Sequence, residues 1–333
     1  MVALRPSPPP GWRALWQGKR GGVTELQSGL GQDRRVEAET GHAVRNLAGC
    51  ALALLAVTIW SGWLVITRVA VTSTLTAEDL SALRFGAAGL ILLPVLWRRG
   101  LALDRFGWRG LILIVACAGA PYVLLASHGL ALATAGEAGV LIPGTIPLFV
   151  ALISALTLRE RVGRIARIGL VLIVGGIAMI VVPALLQAAG WQLAGYGICL
   201  VSAIMWAVYT IEARRAGVDA LHATAIIMVI SAALFIPIYL LLPGQRLWEA
   251  SAAEFWVQLI YQGPLTGIVA LLVYTRAVGI LGATRASSFT ALLPLSAMLL
   301  AIPVVGEWPT LRIAIGAILA ALGVLLATAF ARR

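Results

Sequence analysis

The chain has 333 residues, 60% of them hydrophobic and 12% charged. A soluble domain carries about 25% charged residues, so a soluble globular fold is excluded. The net charge is +11, but the arginines fall between apolar runs of about 20 residues, long enough to cross a bilayer. The charge therefore reads as membrane topology and not as a nucleic-acid surface.

Residues 1–46 carry Pro6, Pro8, Pro9 and Pro10, several glycines and mixed charges without a lasting apolar period. They read as a disordered cytoplasmic tail. No apolar core follows the early positive charges, so a signal peptide is not expected. Ten spans follow, at about 47–70, 80–97, 108–127, 137–157, 165–183, 193–213, 221–242, 256–275, 284–304 and 311–330. Short breaks with Gly, Pro or charge separate them, which predicts antiparallel neighbours.

The second half of this series repeats the first. Pro147, Leu148, Leu152, Glu160, Ile168, Gly169, Leu172 and Gly176 recur 147 positions later as Pro294, Leu295, Leu299, Glu307, Ile315, Gly316, Leu319 and Gly323. Trp60 and Arg68 recur as Trp206 and Arg214 at an offset of 146. This divides the chain into the tail 1–46, a first five-helix repeat over 47–183 and a second over 190–330.

With the N-terminus inside, the inner side holds Arg98, Arg99, Arg105, Arg109, Arg159, Arg161, Arg164, Arg167, Arg214, Arg215, Arg276, Arg285, Arg332 and Arg333. The outer side holds Arg68, Arg84, Arg246 and Arg312. That bias puts both termini in the cytoplasm. Five helices per repeat is an odd number, so the second repeat enters from the opposite side. The fold class expected is an all-α integral membrane protein of ten transmembrane helices in two inverted five-helix repeats, the architecture of alternating-access transporters.

Several residues stand out as candidates. Pro147 and Pro294 hold matching places in the fourth and ninth spans, and Pro143 deepens the break in the fourth. Freed backbone groups at membrane depth are tolerated only against protein or a wet cavity. Trp60 and Trp63, like Trp206 and Tyr209, are spaced i, i+3 and share a helix face. They predict cavity walls for an organic substrate, with interfacial anchoring as the alternative. Arg84 is an intramembrane charge, a functional candidate unless it snorkels outward. Glu137 at a helix start either caps that helix or, with His128 before it, couples protons. Thr145 offers a hydroxyl to substrate or to its own helix. Arg68 reads as a helix-end anchor, and Glu160 and Glu307 as acceptors for the amides of the next helix. Gly263 and Gly267 form one GxxxG, from which no dimer is read.

Cys50, Cys117 and Cys199 lie in apolar runs without metal-ligand spacing. The only lysine, Lys19, precedes Arg20, so no Walker A loop is present. No hydrolase, zinc or dinucleotide motif occurs, and no enzyme activity, cofactor or metal is expected.

The chain resembles the EamA-type branch of the drug/metabolite transporter superfamily. The resemblance rests on LLAVTIWSGWLVITRVAV (54–71), LSALRFGAAGLILLP (80–94), the stretch 141–181 and its counterpart 292–326. The most specific piece is the ending Leu158-Arg159-Glu160-Arg161, repeated as Val305-Gly306-Glu307-Trp308; Arg159 stands where a glycine is usual. The resemblance matches Arg84 to the family's Leu-Arg-Phe signature and places Tyr122 and Tyr274 on cavity-lining helices. It implies a secondary transporter of the inner membrane, often an exporter of small metabolites or amino acids. The expected site is a midplane cavity between the first, third, fourth, sixth, eighth and ninth helices. The expected partners are a small-molecule substrate and the lipid bilayer, with a homodimer left open and no nucleic acid. A metabolite importer, or a non-transporting membrane sensor with a transporter fold, remains the alternative.

Overall fold

In lipid, every backbone N–H and C=O must be satisfied within the chain, which restricts spanning structure to helices or closed barrels. The computed structural model, which describes residues 44–157, 162–187 and 190–329, contains helices and no strand among those residues. Residues 1–43, Arg159, Glu160, Arg161, Arg332 and Arg333 lie outside the described residues.

Among the described residues, ten helices are long and apolar enough to cross a membrane: α1 (Val44–Thr72), α2 (Ala77–Arg99), α3 (Leu103–Leu132), α4 (Ala135–Thr157), α5 (Arg164–Leu186), α6 (Gly190–Ala216), α7 (Ala220–Leu241), α8 (Ala252–Leu281), α9 (Arg285–Val305) and α10 (Leu311–Thr328). The face where α1 ends is called upper below, and the opposite face lower. Polar residues start the helices as their chemistry requires. Thr76 with Asp79, and Thr134 with Glu137, form capping boxes at α2 and α4, and Asp219 caps α7.

The repeats are inverted, and one contact shows the axis between them. The backbones of α5 and α10 touch through glycines: a Cβ on Gly169 would sit 2.6 Å from the Gly323 carbonyl, and one on Gly176 would sit 2.8 Å from that of Gly316. Gly169 is the repeat equivalent of Gly316, and Gly176 that of Gly323. Exchanging the repeats therefore turns each contact into the other, as a two-fold axis crossing an antiparallel helix pair demands. The α2–α7 pair is the second such seam. Its upper end is held by the Tyr239 hydroxyl donating to Asp79 at 2.7 Å. Its lower end is held by the Arg99–Asp219 ion pair and by His222 against the Gly100 carbonyl at 2.8 Å. The axis runs through both seams, leaving the other six helices around it.

Four of those six helices are broken, at matched depths. Helix α3 is interrupted at Gly119 (φ −92°, ψ −150°), where the Ser231 hydroxyl accepts the freed N–H of Ala120 at 3.2 Å. Its repeat equivalent, α8, holds a π-helical stretch over Tyr261–Val269. Helix α4 unwinds between Leu141 and Ile146, and α9 tightens to a 3-10 turn over Thr290–Leu292. Pro147 and Pro294 each take the second position of the helical segment that follows the break. There a missing N–H costs nothing and the fixed φ suits the helix start.

The tryptophans divide in two. Trp97, Trp108, Trp191, Trp248, Trp256 and Trp308 are exposed at or beyond helix ends on both faces, where interfacial anchors belong. Trp60, Trp63 and Trp206 lie within spans and are half-buried or buried.

Candidate substrate site

The inner tryptophans are joined by tyrosines into aromatic contacts across the repeats. Trp63 of α1 stacks near Tyr122 of α3, with ring centroids 6.5 Å apart. Tyr122 meets Trp206 of α6 at 4.9 Å, and Trp206 meets Tyr209 at 5.1 Å. Trp60 pairs separately with Tyr274 of α8 at 5.1 Å. The i, i+3 pair of α1 thus serves several neighbours: Trp60 meets α8, and Trp63 meets α2, α3 and α8. Tyr122 stands three residues past the α3 break, so the interruption sets where its ring enters the row.

Arg84 closes one end of the row. Its guanidinium lies 5.5 Å from the Trp63 ring centroid, and the residue is 6% exposed. Its Nε and Nη1 are buried and make no hydrogen bond among the described residues. A buried cation without an acceptor carries a desolvation cost of several kcal/mol. At the other end of the row, a cleft of about 350 Å³ enters from the lower face, lined among others by Phe106, Arg109, Ile153, Glu212 and Arg215. Phe106, Trp206 and Tyr209 all pack against the buried cluster of Leu111, Ile114, Ala118, Ile226 and Ile227, which links the cleft lining to the row.

The upper end is closed. Arg68 Nε donates to Glu307 Oε1 at 2.8 Å, and its Nη1 donates to the carbonyls of Leu130 and Ala131 at 2.7 and 2.9 Å. Glu307 Oε2 accepts the Ala135 N–H at 2.8 Å. One pair ties α1, the end of α3, the start of α4 and the residue two beyond α9. Arg68 is therefore more than a helix-end anchor. Glu307 takes an amide from the other repeat and not from the following helix, because α4 begins beside it.

Other candidates sit differently. Thr145 Oγ1 donates to the carbonyls of Leu141 and Ile142, at 2.8 and 3.3 Å, satisfying the unwound turn of its own helix. Pro143 lies within that turn. Glu137 accepts the Thr134 N–H at 2.9 Å, the Tyr196 hydroxyl at 2.5 Å and the Gln192 amide at 3.5 Å. His128 Nε2 lies 3.2 Å from Glu78. Gly263 packs on Ala87 and Ala88 of α2 within this chain, and Gly267 on Ala88 and Met228.

Sequence reasoning missed a buried amide network. Gln262 Oε1 accepts the Trp63 indole N–H at 2.8 Å, while its amide donates to Thr67 at 3.0 Å and to Gln258 at 3.2 Å. Gln258 donates in turn to the Ile66 carbonyl at 3.1 Å. Two glutamines spaced i, i+4 in an apolar helix were the available signal.

The comparisons agree with this architecture. The model of the EamA-like transporter family matches residues 47–182 and again 193–329. An uncharacterized protein of Pseudomonas aeruginosa, PA1977, is 31% identical over 169 residues, 50% of this chain and 56% of its own length. The chain thus aligns with little more than half of that relative. An uncharacterized transporter of Bacillus subtilis, YoaV, is 24% identical over 251 residues, 74% of this chain and 85% of its own. A solved crystal structure of a protein, 23% identical, has the same fold, with a TM-score of 0.57 covering 88% of this chain and 99% of its own. The two family matches, one per repeat, span most of the sequence: this multi-pass membrane chain belongs to the EamA-like transporter family.

Proposed function

We propose that the chain is a secondary exporter of small organic metabolites or amino acids, working by alternating access around the aromatic row. The observation that carries this is the matched interruption of α3, α4, α8 and α9 beside that row. Broken helices at mid-membrane depth are tolerated where they line a cavity, and they expose backbone groups there. Inverted repeats about one axis allow two openings related by that two-fold. The conformation described has a tied upper end and a cleft at the lower end.

The arginine bias supports a cytoplasmic lower face, both termini inside and residence in the inner membrane. A lower cleft then loads from the cytoplasm, which supports export. Trp60, Trp63, Arg84, Tyr122, Trp206, Tyr209 and Tyr274 form the proposed wall. Glu137 is the proposed site of proton coupling, since it is a buried carboxylate between repeats, bonded to Tyr196.

The test is a paired metabolite profile of cells and medium. Cells express either the wild type or a Trp60→Ala/Arg84→Ala variant, matched for membrane level. A solute released by the wild type and retained with the variant supports the reading. Identical profiles across growth conditions would overturn export.

A further inference from the structure

The buried charges are treated unequally by the fold. Among the described residues three charged side chains are buried: Asp79, Arg84 and Glu137. Asp79 accepts from the Thr76 N–H and hydroxyl, both at 2.9 Å, from the Tyr239 hydroxyl at 2.7 Å and from the Arg246 N–H at 3.2 Å. Glu137 has three donors within 3.5 Å. Arg84 makes no ion pair among the described residues, and its Nε and Nη1 are buried without acceptors. Both carboxylates are satisfied near the upper ends of their helices, while the buried cation is not.

We propose that this site selects an organic anion: a monocarboxylate with an aromatic or apolar body, its carboxylate on Arg84 and its body along Trp63, Tyr122 and Trp206. The inference deepens the transporter reading and rests on it. A guanidinium presents N–H groups in a fixed fork that matches a carboxylate's two oxygens. The Trp63 ring lies 5.5 Å from the guanidinium, so a carboxylate would approach in the guanidinium plane, where the N–H groups point. The indole N–H of Trp63 is already held by Gln262, so it is not a donor for a ligand. No carboxylate of the described residues pairs with Arg84, so its charge has no partner in the site but a ligand's anion. A net anion fits the site better than a zwitterion, a neutral amide or a cation.

The test is equilibrium binding to full-length protein in nanodiscs with four probes sharing one ring system: indole-3-acetate, tryptophan, indole-3-acetamide and tryptamine. The expected order puts the anion first, at least about tenfold tighter than its neutral amide, with tryptamine weakest. Arg84→Gln, shown by thermal melting to remain folded, is expected to bring anion and amide within about twofold of each other, and Arg84→Lys to keep part of the gap. Trp206→Leu is expected to weaken all four probes while preserving the anion-to-amide ratio. Equal binding of anion and amide, a preference that survives Arg84→Gln, or binding of none of the four would overturn the proposal. Chloride shares the anion chemistry and is titrated alone: chloride that displaces indole-3-acetate while tightening indole-3-acetamide would assign Arg84 to an inorganic ion and overturn the substrate assignment. The release profile described above fails independently. Solute release without anion preference sinks only the charge assignment, and absence of release sinks the exporter reading itself.

Discussion

Replacing Glu307 by glutamine isolates the electrostatic part of the upper closure. The side chain keeps its volume and still offers an oxygen to the Ala135 N–H, but the ion pair with Arg68 is lost. The pair is mostly shielded, with side-chain exposures of 18% and 19%. At a charge separation of about 4 Å and an effective dielectric of about 20, the attraction is about 4 kcal/mol. Desolvation of both groups offsets roughly half of it, leaving about 2 kcal/mol. All of that is at stake when the α3–α4 connection parts from α1 and the α9 end, which corresponds to about a thirtyfold rise in the upper-open population. Ala133 sits in that connection and is 1% exposed, so a lone cysteine there in a cysteine-free background reports the opening. Labelling by a membrane-impermeant maleimide should speed up about thirtyfold in Glu307→Gln. A change below about twofold, with melting temperature and expression unaltered, would refute the assignment of this pair to closure. A fall in melting temperature with unchanged labelling would mean the pair only holds the fold.

Gly169→Val should separate α5 from α10, since even a Cβ would lie 2.6 Å from the Gly323 carbonyl. A loss of about 1–3 kcal/mol is expected in detergent unfolding, and Gly323→Val should match it. Gln262→Leu leaves the Trp63 indole N–H without its acceptor; about 1–2 kcal/mol of destabilisation is expected, with a shift in tryptophan emission. Asp79→Ala removes four hydrogen bonds at the head of α2 and is expected to cost about 3 kcal/mol, which a thermal melt would register. Thr145→Val should leave solute flux within about twofold, because the hydroxyl serves its own helix.

The spanning helices were legible because hydrocarbon thickness fixes their length, and the inversion because an odd helix count forces it. The breaks of α4 and α9 were legible through Pro147 and Pro294, residues whose ring chemistry leaves a written trace. Those of α3 and α8 carry a proline too, Pro121 in second place after the Gly119 break and Pro264 inside the π-helical stretch, but a proline alone does not say whether a helix restarts, widens or only bends around it. The partners of Arg68 are hidden for a different reason. Arg68 and Glu307 are 239 positions apart, and each recurs in the other repeat, so the periodicity marks both residues without saying which touches which. The isolation of Arg84 is a property of everything around it, and a sequence lists neighbours along the chain only.

The glycine seam between α5 and α10 has a mechanical meaning. Both contacts straddle the dyad, so it behaves as a fulcrum: a rocking of one repeat on the other has almost no lever arm there and its longest arm at the two faces. Carbonyl-to-glycine packing at the pivot can persist through a whole cycle, while the ends swing by many times that displacement. Close packing at the pivot and wide swings at the faces are then compatible for the same geometric reason.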